Sequence, residues 1–269
     1  MAKQRPFLKW AGGKYRCIEN ILPHLPKAKR LVEPFTGSGA IFLNTLYPEY
    51  LLADGNQDLV NLYQQLQQEG PGFIDDCETY FNDCTNQSEQ YYQYRNNFNQ
   101  CDNNKLRALL FVYLNRHCYN GLCRYNLKGN YNVPFGRYKK PYFPRAELLY
   151  FYQKSQQVIF KQADFCETFS NTQPGDIIYC DPPYAPINQT SNFSAYTQKK
   201  FGEKEQILLA NLAQDSAKQG IPVIISNHDT EFTRHHYRRS KIISFSVRRS
   251  INCNSSERKF IKELVAVFK

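Results

Sequence analysis

A series of short apolar runs, each followed closely by an acidic or polar residue, constrains this chain more than any other feature. The runs are Leu31–Val32, Tyr50–Asp54, Val158–Phe160, Ile177–Cys180 and Val223–Ile225. Helical patterns fill several of the gaps. One follows the first run through about Tyr47, and a second repeats Leu59, Tyr63 and Leu66 at helical spacing. A third covers about Glu203 to Gln219, with Gly220 and Pro222 as its stop. Ile242–Val247 and Leu264–Phe268 read as a closing pair of strands. Strands that alternate with helices predict an α/β fold with a mainly parallel sheet. Such sheets bind ligands at the carboxyl ends of their strands.

The middle of the chain breaks this rhythm. Residues 56–144 are polar, rich in Tyr, Asn and Gln, and helical where they are periodic, as at Leu106, Leu109, Leu110 and Tyr113. They read as an insertion between the second and third strands. A chain of 269 residues can bury a core without staples. Its formal charge of +10 favours a polyanionic partner, either nucleic acid or an anionic membrane surface. No apolar run is long enough to span a bilayer, and the stretch MAKQRPFLKWAGGK lacks the apolar core of a signal peptide. The nine cysteines form no CxxC, and Cys118 and Cys123 have no second pair for a zinc site. Free thiols fit a reducing cytoplasm.

Two strand ends carry chemistry. The first, EPFTGSG (Glu33 to Gly39), has glycines at 37 and 39 that permit a tight turn and close backbone approach to a ligand. The next strand closes on Asp54, where an acid can accept hydrogen bonds from two ribose hydroxyls. Neither a GxGxxG nor a GxxxxGK[ST] pattern is present, so a hydride cofactor and a phosphate loop are disfavoured. WAGGK (Trp10 to Lys14) is a second glycine turn with a cation that suits a carboxylate. At the other strand end stands Asp181-Pro182-Pro183-Tyr184. An exocyclic base amine is a weak nucleophile because its lone pair is delocalised. Two acceptors aimed at its hydrogens draw electron density onto nitrogen, and the Asp181 carboxylate and Pro182 carbonyl suit that task. The prolines preset the carbonyl direction. Tyr184 offers a ring for base stacking, worth roughly 1–3 kcal/mol. No metal and no covalent enzyme nucleophile are required.

The blocks FLKWAGGK, EPFTGSG, LNRHCYNGLCRYN, NVPFGRYKKPYF, YCDPPYAP and ISNHDT resemble, in order, those of the Dam family of DNA adenine methyltransferases. The resemblance covers nearly the whole chain. It implies a Rossmann-like class I methyltransferase fold, with residues 1–55 and 145–269 as the catalytic domain and 56–144 as a mostly helical DNA-recognition domain. It implies methyl transfer from S-adenosyl-L-methionine to N6 of a flipped-out adenine in GATC, leaving S-adenosyl-L-homocysteine. Asp181, Pro182 and Tyr184 take the catalytic positions. Trp10, Lys14, Phe35, Asp54 and Asp181 line the cofactor, and Asp164 and Phe165 hold its adenine. The partner implied is double-stranded DNA, met by a monomeric cytoplasmic protein of the bacterial nucleoid.

The stretch Tyr113 to Phe143 has no Asp or Glu and interleaves basic residues, Arg116, Arg124 and Lys128 among them, with tyrosines. Such a loop suits DNA better than a solvated face of mixed sign. By the resemblance, Arg124 reads guanine and Lys9 contacts the outer base pair. Leu122 and Pro134 suit a thymine methyl, and Tyr119 and Asn120 enter the base stack. Arg95, Arg137, Tyr138 and Lys139 are assigned to phosphates, with Arg248, Arg249, Arg258 and Lys259 as a further group. The chain departs from the family pattern at His117, Cys118 and Gly55, while His228 reads as structural. Two rivals remain at this level: a cytosine-N4 or protein-amide methyltransferase, against which the acid at 181 argues, and a DNA-binding relative without activity.

Overall fold

The computed structural model describes residues 3–184, 201–248 and 260–269. Its strands are β1 (Arg30–Glu33), β2 (Glu49–Asp54), β3 (Val158–Gln162), β4 (Asp176–Cys180), β5 (Val223–His228), β6 (Lys241–Arg248) and β7 (Phe260–Phe268). The helices are α1 (Ala40–Leu43), α2 (Gln57–Glu69), α3 (Pro71–Glu78), α4 (Ser88–Gln100), α5 (Asn104–His117), α6 (Arg145–Lys154), α7 (Phe165–Ser170), α8 (Glu203–Lys218) and α9 (Glu231–His236). Among the described residues the strands form one sheet in the order β3-β2-β1-β4-β5-β7-β6. The pairs β1–β2, β1–β4, β2–β3 and β4–β5 are parallel, and β7 runs antiparallel to β5 and β6. This is the mainly parallel, Rossmann-like sheet the sequence implies, closed by its antiparallel pair. Every residue of β4 is buried, as a strand covered on both faces requires.

Chain order reverses between β1 and β4, which are neighbours in the sheet. Strands β2 and β3 build outward on one side, and β5, β7 and β6 on the other. The crevice beyond the carboxyl ends of β1 and β4 is therefore the switch point at which a ligand fits. Glu33–Gly39 and Asp181–Tyr184 both emerge there.

The helix expected to reach Tyr47 is only one turn long, Ala40–Leu43. The side chains that follow it take its final carbonyls. Asn44 Nδ2 donates to Ala40 O at 2.8 Å and Thr45 Oγ1 to Ile41 O at 2.9 Å. Side-chain competition of this kind ends a helix that apolar spacing alone would continue.

Between β2 and β3, α2 packs against both strands and against α5. Its N-cap is Asn56, whose side chain accepts from the N–H groups of Asp58 and Leu59. After α5 the chain forms a loop with isolated antiparallel bridges, Cys118 with Phe135 and Tyr125 with Tyr131. A continuous aromatic core joins these parts: Tyr63 stacks on Phe151 with ring centroids 4.7 Å apart. The described cysteines are all free thiols, and no helix is long and apolar enough to cross a membrane among the described residues.

The sheet centre is held at its amino end by an ion pair. Arg30 Nε donates to Asp176 Oδ1 at 3.0 Å and Nη2 to Oδ2 at 2.7 Å, across the β1–β4 pairing of these two residues. Asp176 is buried. Arg30→Ala leaves that carboxylate without its cation, and stability is expected to fall by about 3–5 kcal/mol, read from the urea midpoint.

Candidate active site

The Glu33–Gly39 turn at the end of β1 is fixed by Asp54 at the end of β2. Asp54 Oδ2 accepts from Gly37 N at 3.0 Å, and its Oδ1 from Asn56 N at 2.9 Å. Burial pushes its carboxyl pKa up, partly offset by these two N–H donors. Gly37 has φ +49°, and a Cβ added there would come within 2.9 Å of Trp10 Nε1. Both the positive φ and the indole overhead require glycine. Tyr63 donates its hydroxyl hydrogen to Gly37 O. Three separate segments thus meet at one turn.

At the end of β4, Asp181 is held through Oδ1 among the described residues. Oδ1 lies 2.9 Å from Lys14 Nζ and accepts from Ser226 Oγ at 3.1 Å. Lys14 is buried, and burial alone would lower its pKa. The carboxylates of Asp181 and Glu263 outweigh burial and hold the pKa above the usual lysine value. Its ammonium also sits 4.3 Å from the centre of the Tyr184 ring, a cation–π contact. The Tyr184 hydroxyl donates to Glu263 Oε2 at 3.0 Å, and its ring meets His228 edge-on at 4.7 Å. His228, which reads as structural in the sequence, therefore forms part of this wall. Gln206 of α8 donates to Pro183 O at 2.7 Å, so the proline turn is tied down from behind.

Next to this turn lies an aromatic group. Phe35 stacks on Phe165 with centroids 5.7 Å apart, and Phe201 meets both rings at 5.5 Å. Asp164, adjacent in sequence to Phe165, caps α7 by accepting from Glu167 N at 2.9 Å. Glu33 is a buried acid whose Oε1 has no partner among the described residues. Burial pushes its pKa up to about 8, with the Phe42 N–H pulling down and the Asp181 charge pushing further up.

The basic loop presents a different surface. Tyr119, Asn120, Arg124, Pro134, Arg137 and Lys139 are exposed. Asn120 and Arg137 hold positive φ values of 55° and 54°, an uncommon conformation for side-chain-bearing residues. Tyr138 accepts from Asn120 N at 3.1 Å, and Lys9 Nζ lies 3.9 Å from the Tyr138 ring centre. Leu122 and Lys9 are half-buried at the base of this loop. Arg116 is buried, donating to Tyr142 O at 3.0 Å and Phe7 O at 3.3 Å. Arg95 donates to Val133 O at 3.1 Å. His117 is buried between the Tyr113 and Phe81 rings. Arg249, Arg258 and Lys259 lie outside the described residues, as does the side chain of Arg248.

The structure thus brings Trp10, Lys14, Asp54, Asp181 and Tyr184 around one crevice, with Phe35, Asp164 and Phe165 beside it. Sequence reasoning missed Glu33, Ser226, Phe201 and Glu263. Glu33 and Ser226 fall inside quoted blocks, so strand-end position was an available signal. Glu263 arrives on antiparallel β7, opposite His228, and no local pattern marks it.

The chain belongs to the D12 class N6 adenine-specific DNA methyltransferases, whose family model matches residues 10–251. It is an enzyme that transfers a methyl group to N6 of adenine in DNA, which removes the cytosine and protein-amide rivals. It is 48% identical over 269 residues to the DNA adenine methylase of Escherichia coli K12, covering 100% of this chain and 97% of that one. The DNA adenine methylase of Serratia marcescens is 49% identical over 270 residues, with 100% of both chains covered. That of Vibrio cholerae El Tor Inaba N16961 is 49% identical over 269 residues, covering 100% of this chain and 97% of the other.

Glu33 gives a pH test. Its carboxyl has a reference pKa of 4.5 and a folded-state pKa of about 8, so the folded chain keeps a proton that the unfolded chain sheds across that window. The stability this proton contributes is whole below pH 4.5 and is lost as pH rises through about 8. Glu33→Gln removes the dependence. Thermal melts should show a small difference near pH 5 and a widening advantage for the glutamine variant towards pH 8.

Proposed function

We propose that the protein methylates N6 of adenine within GATC sites of double-stranded DNA, with S-adenosyl-L-methionine as donor and S-adenosyl-L-homocysteine as product. The observation that carries this reading is Asp181, held through Oδ1 by Lys14 and Ser226 in the crevice between β1 and β4. Both restraints fall on one oxygen, and we assign Oδ2 to the incoming amine. With the Pro182 carbonyl it accepts hydrogen bonds from the adenine amino group and concentrates electron density on N6. Tyr184, steadied by Glu263 and Lys14, stacks on the base.

The residues present fit the donor. The aromatic group of Phe35, Phe165 and Phe201 suits an adenine, with Asp164 at its edge for an exocyclic amine. Asp54 holds the turn and retains lone pairs for ribose hydroxyls. Trp10 covers Gly37, and the unpartnered Glu33 oxygen suits a cationic group nearby. When bound, the donor supplies an electrophilic methyl on sulfur. The protein's part is alignment, in a site that excludes water.

Adenine inside a duplex is stacked and beyond reach, so the base must leave the helix, at a cost of a few kcal/mol. The exposed Tyr119 and Asn120 are assigned to the gap it leaves. Arg124 is assigned to guanine, whose O6 and N7 match a guanidinium fork. Leu122 and Pro134 take the thymine methyl and Lys9 the outer pair. Arg95, Arg137, Tyr138 and Lys139 are assigned to the phosphate path, and the buried Arg116 steadies the loop from behind through the Tyr142 and Phe7 carbonyls. Residues 56–144 form the recognition unit and residues 1–55 and 145–269 the catalytic one, in a monomer acting on cytoplasmic, nucleoid DNA.

Labelled-methyl transfer should put N6-methyladenine into duplexes with GATC and not into matched duplexes without it; equal incorporation into both would end the site assignment. Asp181→Asn, which keeps the side-chain volume and an oxygen for Lys14 and Ser226, should lower turnover by about 10²–10³-fold while DNA binding without donor stays near the parent value. Arg124→Ala should relax site choice by about 1–3 kcal/mol, measured as the ratio of kcat/KM for GATC over single-base variants.

A further inference from the structure

The buried acid Asp58 takes no part in the site described above, yet it stands at the centre of a dense set of contacts. It lies in the first turn of α2, four residues after Asp54. Its Oδ2 accepts from the Tyr125 hydroxyl at 2.6 Å and from Arg107 Nη2 at 3.2 Å, and its Oδ1 accepts from Arg107 Nε. The same guanidinium donates through Nη1 to Phe98 O at 2.7 Å and Cys101 O at 3.2 Å. One carboxylate therefore joins α2, the end of α4, α5 and the basic loop. A doubly engaged Arg–carboxylate pair has its geometry fixed as well as its charge.

Tyr125 is the neighbour of Arg124 in an extended segment that bridges Tyr131. Successive side chains in such a segment point to opposite faces. Tyr125 turns inward to Asp58, and Arg124 is exposed. The direction of one sets the direction of the other. The Arg124 side chain is then clasped from the facing segment, donating through Nε to Asn132 Oδ1 at 2.7 Å and through Nη2 to Asn132 O at 3.3 Å. The backbone closes the same link, with Asn132 N donating to Arg124 O at 3.1 Å.

We infer that Asp58, through the Tyr125 hydroxyl, is a positioning residue for base discrimination: it holds the loop so that Arg124 presents its fork in one orientation. This deepens the proposed reading and rests on Arg124 being the residue that contacts guanine. Loss of the tie frees the loop to pivot, and a fork free to pivot accepts wrong bases almost as well as the right one. Adenine chemistry and donor binding lie elsewhere and are left intact.

The test is Tyr125→Phe, which removes one hydroxyl and keeps the ring packing, with Asp58→Asn as a second variant. The parent, each variant, Arg124→Ala and the Tyr125→Phe/Arg124→Ala double variant are assayed on GATC duplexes and on duplexes with each position changed in turn. Tyr125→Phe should lower the kcat/KM ratio of GATC over the guanine-substituted site by about tenfold, inside the range for one bidentate base contact. kcat on GATC and the donor dissociation constant should stay within about twofold of the parent. In the double variant the hydroxyl loss should add nothing to the discrimination already lost with Arg124, since the two act as one unit. A Tyr125→Phe protein with full discrimination would overturn the inference. So would one that slows on every duplex alike, or one whose loss adds fully to that of Arg124→Ala. A parent enzyme indifferent to GATC would instead remove the site reading itself, a separate and recognisable result.

Discussion

Everything at the candidate site hangs on the contact between Lys14 and Asp181. It places a cation from the N-terminal glycine turn against an acid at the end of β4, across the switch point of the sheet. Both groups are largely out of water, where an unpaired charge carries a heavy penalty. The pairing therefore forces the N-terminal segment to dock over the crevice. Docking in turn brings Trp10 down onto Gly37 and stacks the ammonium against Tyr184. Through Ser226 the same acid is tied to β5, and through Tyr184 the wall extends to β7. The crevice is thus shaped by charge as much as by packing.

Most of the sheet was legible in the sequence because each central strand is a short apolar run that stops on a polar residue. Burial on both faces of a parallel sheet demands such runs, and Asp54 and Asp181 stand where the demand ends. Between the second and third strands the sequence loses that rhythm and reads as helical where it is periodic, and the structure places α2 to α6 there. The helix after β1 is shorter than apolar spacing predicts, because that spacing says nothing of Asn44 and Thr45 taking carbonyls from the last turn.

The candidate site is legible in the sequence where its residues sit at strand ends, and obscure where tertiary pairing brings further side chains against it. Glu263 is an ordinary residue of β7 until the antiparallel register sets it across from His228 and beneath the Tyr184 hydroxyl. Phe201 joins Phe35 and Phe165 only in space. The basic loop shows the same limit: its charge pattern names a surface, but Arg116 lies inside on two carbonyls while Arg124 faces outward. Residue type alone does not separate them.

The clasp between Arg124 and Asn132 has a kinetic consequence. A long cationic side chain ordinarily surrenders much rotamer freedom when it meets a partner, and that loss blunts the gain from a good match. Here much of the ordering is already done within the free protein. On the proposed reading of Arg124 as the guanine contact, the difference between a matched and a mismatched base then passes almost undiminished into the lifetime of the complex, which is where related complexes diverge most. Searching along nucleic acid can stay quick, because mismatched encounters end early.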